Sequence, residues 1–164
     1  MPMEIRPAQI DDAAFISEVY NHHVRHTVTT FETVPVSVEE WKERISTICE
    51  KYPFLVSMIN GQPVGYCYAT TWKTRQAYAQ TVEVSVYIHP EHHGRGIGKA
   101  LYSSLFQQLK EMGIHCVIGG ISMPNMVSER LHQTMGFQLV GTFREVGNKF
   151  GEWVDVRYYQ LTLT

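Results

Sequence analysis

Glycines occupy positions 94, 96 and 98, directly after a β-branched run and before apolar residues at helical spacing. Glycine permits a tight turn after a strand, so several backbone N–H groups and the positive end of the following helix can converge on one anion. Arg95 and Lys99 add mobile cations beside this turn. The pattern therefore favours binding of a pyrophosphate group. An ordinary tight connection between a strand and a helix is the alternative.

Two common phosphate-binding motifs do not fit this turn. The pattern GxxxxGK[ST] is absent from the sequence, and the dinucleotide pattern GxGxxG would need a further glycine at 99 or 101. Lys99 and Leu101 stand at those positions. The turn therefore belongs to a different class of anion site.

The carboxylate of Glu83 is a second candidate for chemistry, within the run TVEVSVYI at 81–88. Side chains alternate between the two faces of a strand, so Glu83 shares a face with Ser85 and Tyr87, whereas the valines lie on the other face. The strand leads directly to the glycine turn, so the carboxylate and the anion site lie in adjacent segments. A glutamate that faces solvent or pairs with Arg or Lys is the alternative.

The remaining elements must position these groups. Apolar residues at helical spacing predict four helices, over 15–24, 38–48, 97–112 and 127–135, with Ser37 and Asn125 as caps of two of them. Alternating or short apolar runs predict strands at 3–6, 54–59, 64–71, 81–88, 114–121, 137–146 and 152–163. The threonine-rich segment 26–36 is predicted to be an exposed loop.

The order of these elements, β-α-α-β-β-β-α-β-α-β-β, predicts an α/β (α+β) fold with one mixed, mostly antiparallel sheet and helices on both faces. The chain has 164 residues, which suits one domain over 1–164 with a single sizeable core. Hydrophobic residues make up 44% and charged residues 18%, a globular composition that excludes disorder and fibrous repeats.

The charge balance limits the possible partners. A formal net charge of -2 offers no excess of positive charge for nucleic acid or anionic lipid. No apolar run approaches the roughly 18 residues of a membrane span, and the first residues lack the pattern of a signal peptide. We therefore expect a soluble, cytoplasmic protein with no nucleic-acid or membrane partner.

Cysteine and histidine usage gives no sign of a disulfide framework or a metal site. Cys49, Cys67 and Cys116 are an odd number without CxxC spacing, which favours reduced thiols in the core. Histidines cluster at 89, 92 and 93 and at 22 and 26, but no carboxylate or cysteine stands at ligand spacing beside them. We expect no metal.

The glycine turn resembles the acetyl-CoA loop of the GCN5-related N-acetyltransferase (GNAT) superfamily, written Q/R-x-x-G-x-G/A. The loop corresponds here to residues 93–98, His-Gly-Arg-Gly-Ile-Gly, in which His93 replaces the usual Gln or Arg. Backbone N–H groups hold most of the pyrophosphate, so this departure is expected to weaken binding rather than abolish it. Asn125 with Ser128 resembles the superfamily's second element, which meets the pantetheine arm.

Three further segments resemble the phosphinothricin and methionine sulfoximine N-acetyltransferase family. They are TFETVPVS at 30–37, AYAQTVEVSVY at 77–87 and VGNKFGEWVD at 146–155. The resemblance covers nearly the whole chain. It implies a GNAT-like fold, acetyl-CoA as co-substrate, a role in detoxification, and a homodimer.

The resemblance also implies roles for particular residues. Glu83 is the expected catalytic base, because acetyl transfer needs a neutral amine. A backbone N–H of the same strand is expected to stabilise the charge that develops on the thioester oxygen. His132, Ser128 or water is left as the proton donor to the thiolate. The expected cofactor-binding residues are Val86, Tyr87, Ile88, Gly94, Arg95, Gly96, Ile97, Gly98, Lys99, Asn125 and Ser128.

The expected substrate-binding residues are Lys73, Thr74, Arg75, Glu83, Val84 and Ser85. An α-carboxylate and a compact polar head call for a fork-shaped cation beside an aromatic group, which Arg75 and Trp72 supply. Phe31, Glu32, Lys149 and Trp153 are candidates of second rank. Lys73 and Thr74 replace the family's usual Arg or Pro.

The sequence thus favours N-acetylation of the α-amine of a small amino acid or analogue, such as phosphinothricin, methionine sulfoximine or methionine sulfone. Acetylation of a peptide or protein amine is an alternative enzyme activity. A non-catalytic module that binds acyl-CoA is the alternative from another class.

Overall fold

The computed structural model describes residues 2–164, along which the predicted order of strands and helices is confirmed. The strands are β1 (Met3–Pro7), β2 (Phe54–Ile59), β3 (Gln62–Thr71), β4 (Thr81–Ile88), β5 (Cys116–Ser122), β6 (Gln138–Lys149) and β7 (Glu152–Thr162). The helices are α1 (Ala13–His26), α2 (Val38–Cys49), α3 (Ile97–Glu111) and α4 (Met126–Thr134). Short 3-10 turns precede α1 and flank β4.

The strands form a seven-stranded sheet in the order β1-β2-β3-β4-β5-β7-β6. Every neighbouring pair is antiparallel except β4 and β5, so the predicted mixed, mostly antiparallel sheet is confirmed. The parallel pairing is short and runs from Thr81 with Cys116 to Glu83 with Ile118. Both strands continue beyond that point. They therefore separate in the middle of the sheet, which leaves a gap between their carboxyl ends.

Helices cover both faces of the sheet. On one face, Leu101 and Leu105 of α3 pack with Val82 of β4 in a buried cluster. On the other face, Trp41 of α2 and Ile16 of α1 belong to a second cluster that contains aromatic residues of the sheet. Each fully buried side chain of this size contributes about 1.5–3 kcal/mol. Together the two clusters hold the sheet, and hence the gap, in a fixed shape.

Some predicted core positions are wrong. Val38 and Val127 were expected on buried helix stripes, but they are 37% and 79% exposed. Both lie in the first turn of their helices, and in α2 the buried positions are Trp41 and Ile45. The caps are as expected, since the Ser37 hydroxyl accepts a hydrogen bond from the Glu40 N–H at 3.0 Å.

The three cysteines are free, with Cys67 buried, Cys116 half-buried and Cys49 exposed. Within residues 2–164, none of the helices combines the length and the apolar character needed to cross a membrane.

Candidate active site

A cavity of about 370 Å³ lies where β4 ends and α3 and α4 begin. The turn before α3 forms one wall, and Gly94 and Gly96 adopt positive φ angles of 77° and 74°. Side chains other than glycine rarely adopt this left-handed conformation, which explains the glycines. Gly96 caps α3, so the unpaired N–H groups of the first helical turn lie at this wall.

The side chains of the turn brace it. His93 places its Nε2 3.0 Å from the Ile88 carbonyl oxygen, which holds the turn against the end of β4. Arg95 is exposed and approaches the His92 ring, with Nη1 3.3 Å from Nδ1. The replacement at His93 therefore has a structural role here.

Most of the predicted cofactor residues meet in this cavity. Those that line it are Val86, Tyr87, Ile88, Gly94, Gly96, Ile97, Gly98, Lys99, Asn125 and Ser128. Arg95 does not line it. The Asn125 side chain accepts a hydrogen bond from the Ser128 N–H at 3.1 Å, which starts α4 beside the cavity.

A second cavity of about 550 Å³ opens on the other side of the sheet gap. Its walls are mostly aromatic and polar residues, with two valines and a glycine: Tyr20, Thr29, Thr30, Phe31, Tyr68, Thr70, Glu83, Ser85, Tyr87, Gly120, Ser122, Phe143, Val146, Val156 and Tyr158. Glu83 is the acidic residue among them. Burial raises the pKa of Glu83, and the Lys73 ammonium opposes part of that rise.

A junction of about 50 Å³ connects the two cavities through the gap between β4 and β5. Ser85 and Gly120 line both the junction and the larger cavity, while Val86 and Asn125 line both the junction and the glycine-turn cavity. Thr29 and Tyr87 border all three spaces. This small space is therefore where a group bound at the glycine turn can meet one bound beside Glu83.

Backbone donors face this junction. The His89 N–H donates to the Val64 carbonyl at 2.9 Å, so the antiparallel alternation directs the Tyr87 N–H to β3 as well. The N–H groups of Val86 and Ile88 then point to the side of β5. Because β5 has already separated there, these donors are available to a bound molecule.

Two buried rings close the junction at the back. His132 Nδ1 lies 2.7 Å from the Ser128 carbonyl oxygen, and Nε2 lies 3.3 Å from the Tyr102 hydroxyl. Burial lowers the pKa of His132, so the ring is neutral near pH 7. Nδ1–H then donates to the carbonyl, and Nε2 accepts from Tyr102.

The predicted substrate residues divide into two groups. Glu83 and Ser85 line the larger cavity, whereas Val84 is 4% exposed and reaches only the junction. Lys73, Thr74 and Arg75 are exposed on a loop outside the cavity lining. Trp72 connects this loop to the cavity, because its ring meets that of Tyr158 at 5.6 Å and lies 5.0 Å from the Lys73 ammonium.

The second-rank candidates also differ in position. Phe31 lines the larger cavity, while Trp153 is 64% exposed and lines none of the three spaces. Glu32 accepts hydrogen bonds from Arg44 and Tyr20 at 2.7 Å each. Lys149 is buried, and its ammonium faces backbone carbonyls rather than a cavity.

Sequence reasoning missed part of the site. The segment 26–36 was predicted to be an exposed loop, but Thr30 and Val36 are buried, and Thr29 borders all three spaces. Gly120 and Tyr158 were missed as well, because neither carries a local signal.

Within residues 2–164, no group of three or more His, Cys, Asp or Glu side chains is arranged to hold a metal ion. The rings of His22 and His26 lie 5.2 Å apart.

Known proteins are similar to this chain in sequence and fold. Residues 5–157 match the acetyltransferase (GNAT) domain family. A phosphinothricin N-acetyltransferase of Streptomyces viridochromogenes is 37% identical over 97% of this chain and 87% of its own. An L-methionine sulfoximine/L-methionine sulfone acetyltransferase of Salmonella typhimurium is 38% identical over 98% of this chain and 95% of its own. A phosphinothricin acetyltransferase from Sinorhizobium meliloti, solved with acetyl-CoA, superposes with a TM-score of 0.95 at 37% identity, over 99% and 89% of the two chains.

Proposed function

The chain belongs to the GNAT acetyltransferase family, and we propose that it moves the acetyl group of acetyl-CoA to the α-amine of a small amino acid or analogue. The resemblance predicted from the glycine turn and the three segments is thereby confirmed. The observation that carries the proposal is the small junction, which joins an anion-binding cavity to a cavity with a half-buried carboxylate. Relatives named for phosphinothricin and methionine sulfoximine set the substrate class.

The glycine-turn cavity suits the pyrophosphate and pantetheine parts of acetyl-CoA. The first turn of α3 offers N–H groups and a positive dipole end, and Lys99 adds a cation. Asn125 and Ser128 stand further along, toward the junction. When bound, acetyl-CoA supplies an activated acetyl thioester. Val86 N–H is placed to polarise a carbonyl oxygen in the junction.

Glu83 is placed to take a proton from the amine of the acceptor. A general base works best when its pKa lies near the working pH, and burial moves the pKa of Glu83 in that direction. For the proton taken up by the departing thiolate, we propose Ser128 or water. The neutral His132 ring is less suited, because it already donates its Nδ1 proton to the Ser128 carbonyl.

A thiol-release assay tests the proposed activity. Wild-type protein is mixed with acetyl-CoA and a panel of methionine sulfone, methionine sulfoximine, phosphinothricin, short peptides and a simple alkylamine. Turnover of the free amino-acid analogues supports the proposal. Turnover only of peptides would instead favour a peptide acetyltransferase, and acetyl-CoA binding without turnover would favour a binding module.

Arg75 is expected to bind the carboxylate of the acceptor from the loop at the mouth of the larger cavity. Replacing Arg75 with Ala should raise the KM for methionine sulfone by about 10–100-fold, the loss of one or two hydrogen bonds to a charged group. A simple alkylamine, which lacks the carboxylate, should show little change. Steady-state kinetics with both acceptors, with exposed Arg25→Ala as control, check this. Equal effects on both acceptors would contradict the role.

We also propose a homodimer, formed through β6 and β7. The surface formed by the two strands and the turn between them exposes large apolar side chains, each between 52% and 64% exposed: Leu139, Val140, Phe143, Val146, Phe150 and Trp153. Apolar patches of this kind mark sites of protein association. Phe143 and Val146 also line the larger cavity, so a partner on this face would lie next to the acceptor.

Trp153→Glu should convert the dimer to a monomer, since a buried unpaired charge opposes association. Sedimentation velocity over a concentration series measures this. Met112→Glu, at an exposed apolar residue beyond the end of α3, is the control and should leave the dimer intact. A monomeric wild type would contradict the proposal.

A cytoplasmic role in detoxification of toxic amino-acid analogues is the biological setting that we propose. It fits the names of the relatives, which act on phosphinothricin and methionine sulfoximine. It also fits the three free cysteines, since reducing compartments keep thiols unpaired.

A further inference from the structure

Lys149, the last residue of β6, has a buried ammonium group that forms no ion pair with a carboxylate among residues 2–164. The residue is 2% exposed. Its Nζ donates to the carbonyl oxygens of His23 at 3.1 Å, Thr27 at 2.7 Å and Thr30 at 2.7 Å. An ammonium has three donors, so all of its protons are used. Burying a charge is costly, and these three hydrogen bonds offset part of that cost.

The three carbonyls belong to one continuous piece of chain. His23 lies in the last turn of α1, Thr27 follows the helix, and Thr30 lies in the loop that comes next. The carboxyl end of a helix carries partial negative charge and unpaired carbonyls, which a cation stabilises. Lys149 therefore ties the end of α1 and the following loop to β6, across more than a hundred residues of sequence.

A second contact from β6 fixes the same loop. The ring of Phe31 lies directly on Gly147, where a Cβ atom would clash with the ring. From the opposite side, the Thr30 hydroxyl lies 2.7 Å from that of Tyr20, which also donates to Glu32. The loop is thus clamped between β6 and α1.

This loop borders the place of reaction. Thr29 lines the junction and both cavities, and Thr30 and Phe31 line the larger cavity. Lys149 binds the carbonyls of Thr27 and Thr30, on either side of Thr29 in the chain. A shift of the loop would therefore change the shape of the space where the acetyl group and the acceptor meet.

We infer that Lys149 is a positioning residue for acetyl transfer, which holds Thr29 and Phe31 at the border between the acetyl-CoA and acceptor sites. The inference rests on the proposed function. Without the ammonium, the Thr27 and Thr30 carbonyls would face an apolar side chain and the loop would have to open to reach water, whereas the His23 carbonyl would keep the Thr27 N–H. The acceptor would then meet the acetyl group in a poorer geometry, which can cost a large factor in rate.

Lys149→Met tests the inference, because it keeps most of the unbranched side chain and removes the ammonium with its donors. We expect kcat/KM for the acceptor to fall by about 10–100-fold, the cost of a misplaced site. Acetyl-CoA affinity, measured by calorimetry, should change much less, because the turn before α3 is untouched. The control is Lys42→Met, at a partly exposed lysine of α2 that pairs with Glu39, and it should behave as wild type.

Hydrogen exchange gives a readout that does not depend on activity. In Lys149→Met, the amides of residues 27–31 should exchange about tenfold faster or more, while those of β2 and β3 keep their protection. Lys149→Arg, which retains the charge and the donors, should restore part of the protection and of the rate. A uniform loss of protection, or an unchanged kcat/KM, would overturn the inference and leave Lys149 with a role in stability alone.

Should Lys149→Met fail to fold, Lys149→Gln is the second variant: its amide is shorter and uncharged and has two N–H donors for three carbonyls, so it should loosen the loop and slow acetyl transfer in the same direction but less. The two proposals fail in different ways. If wild-type protein does not acetylate any acceptor, the proposed function fails, whatever the exchange data show. If wild type is active and the loop of Lys149→Gln exchanges as in wild type with full activity, only the positioning role fails.

Discussion

Glu83→Gln should lower kcat for acetyl transfer by about 10²–10⁴-fold, the range that a general base contributes. Glutamine keeps the size and the hydrogen-bonding capacity of the side chain but cannot accept the ammonium proton. Glu83 lines the larger cavity, where we expect the acceptor (the acceptor cavity), and does not line the glycine-turn cavity, where we expect acetyl-CoA. The affinity for acetyl-CoA should therefore stay close to that of wild type. Steady-state kinetics and calorimetry measure the two quantities separately. The control is Glu43→Gln, at an exposed glutamate of α2.

The pH profile sharpens this test. Because burial raises the pKa of Glu83, the carboxylate form should appear at a higher pH than for an ordinary glutamate, and kcat/KM should rise through that pKa. In Glu83→Gln, this rise of kcat/KM should disappear. Any change of kcat/KM with pH that comes from deprotonation of the acceptor's own ammonium should persist. A variant that kept the rise and the rate would remove Glu83 as the base.

The same pKa has a consequence for stability. The unfolded chain loses the Glu83 proton at the ordinary glutamate pKa, whereas the folded chain holds it to a higher pH. Wild-type stability should therefore fall as the pH rises from the ordinary value through the raised one. Glu83→Gln escapes that loss, so it should be more stable than wild type above this window and similar below it. Chemical denaturation at several pH values measures the difference.

Several parts of the site follow from local sequence. The strand at 81–88 has the predicted bounds, since β-branched residues and strict alternation specify a strand without help from elsewhere. The glycine turn was predicted for a similar reason. Gly94 and Gly96 adopt a backbone conformation that other residues avoid, so their presence marks the turn directly.

Other parts depend on residues far apart in the chain. The segment 26–36 is polar and rich in threonine, which favours an exposed loop by composition. In the structure, Lys149 and Gly147 reach it from β6 and hold it at the junction. Neither contact can be deduced from the loop itself, because it exists only once the sheet has brought β6 next to the end of α1.

The position of the exposed loop that carries Trp72 and Arg75 also depends on residues far away in the chain. Trp72 and Arg75 have the types expected for an amino-acid site, and their loop lies at the mouth of the acceptor cavity through the contact of Trp72 with Tyr158. Sequence gives the residue types but not the distance of Arg75 from a bound acceptor. The Arg75→Ala kinetics test whether Arg75 reaches the carboxylate of a bound acceptor.

Gly119→Ala should destabilise the protein by about 1–3 kcal/mol, the cost of overpacking a core. A Cβ atom at this position of β5 would lie 2.7 Å from Nε2 of His132. The rings of Tyr102 and Phe137 lie within 5.4 Å of the His132 ring, so it can yield only toward the junction that it lines. For a chain of this size, the expected fall in Tm is about 3–10 °C.

Gly141→Ala is the matched control, since a Cβ atom at that exposed position of β6 meets nothing within 4 Å. Its Tm should stay near that of wild type or rise slightly, because alanine restricts the unfolded chain. Gly119→Ala should also lose activity at temperatures well below its Tm. The displaced His132 would break its contact with Tyr102 and press into the junction, where the acetyl group must fit. If both variants melted and turned over alike, the back wall of the junction would not be rigid. The small size of that space would then not limit what reacts there.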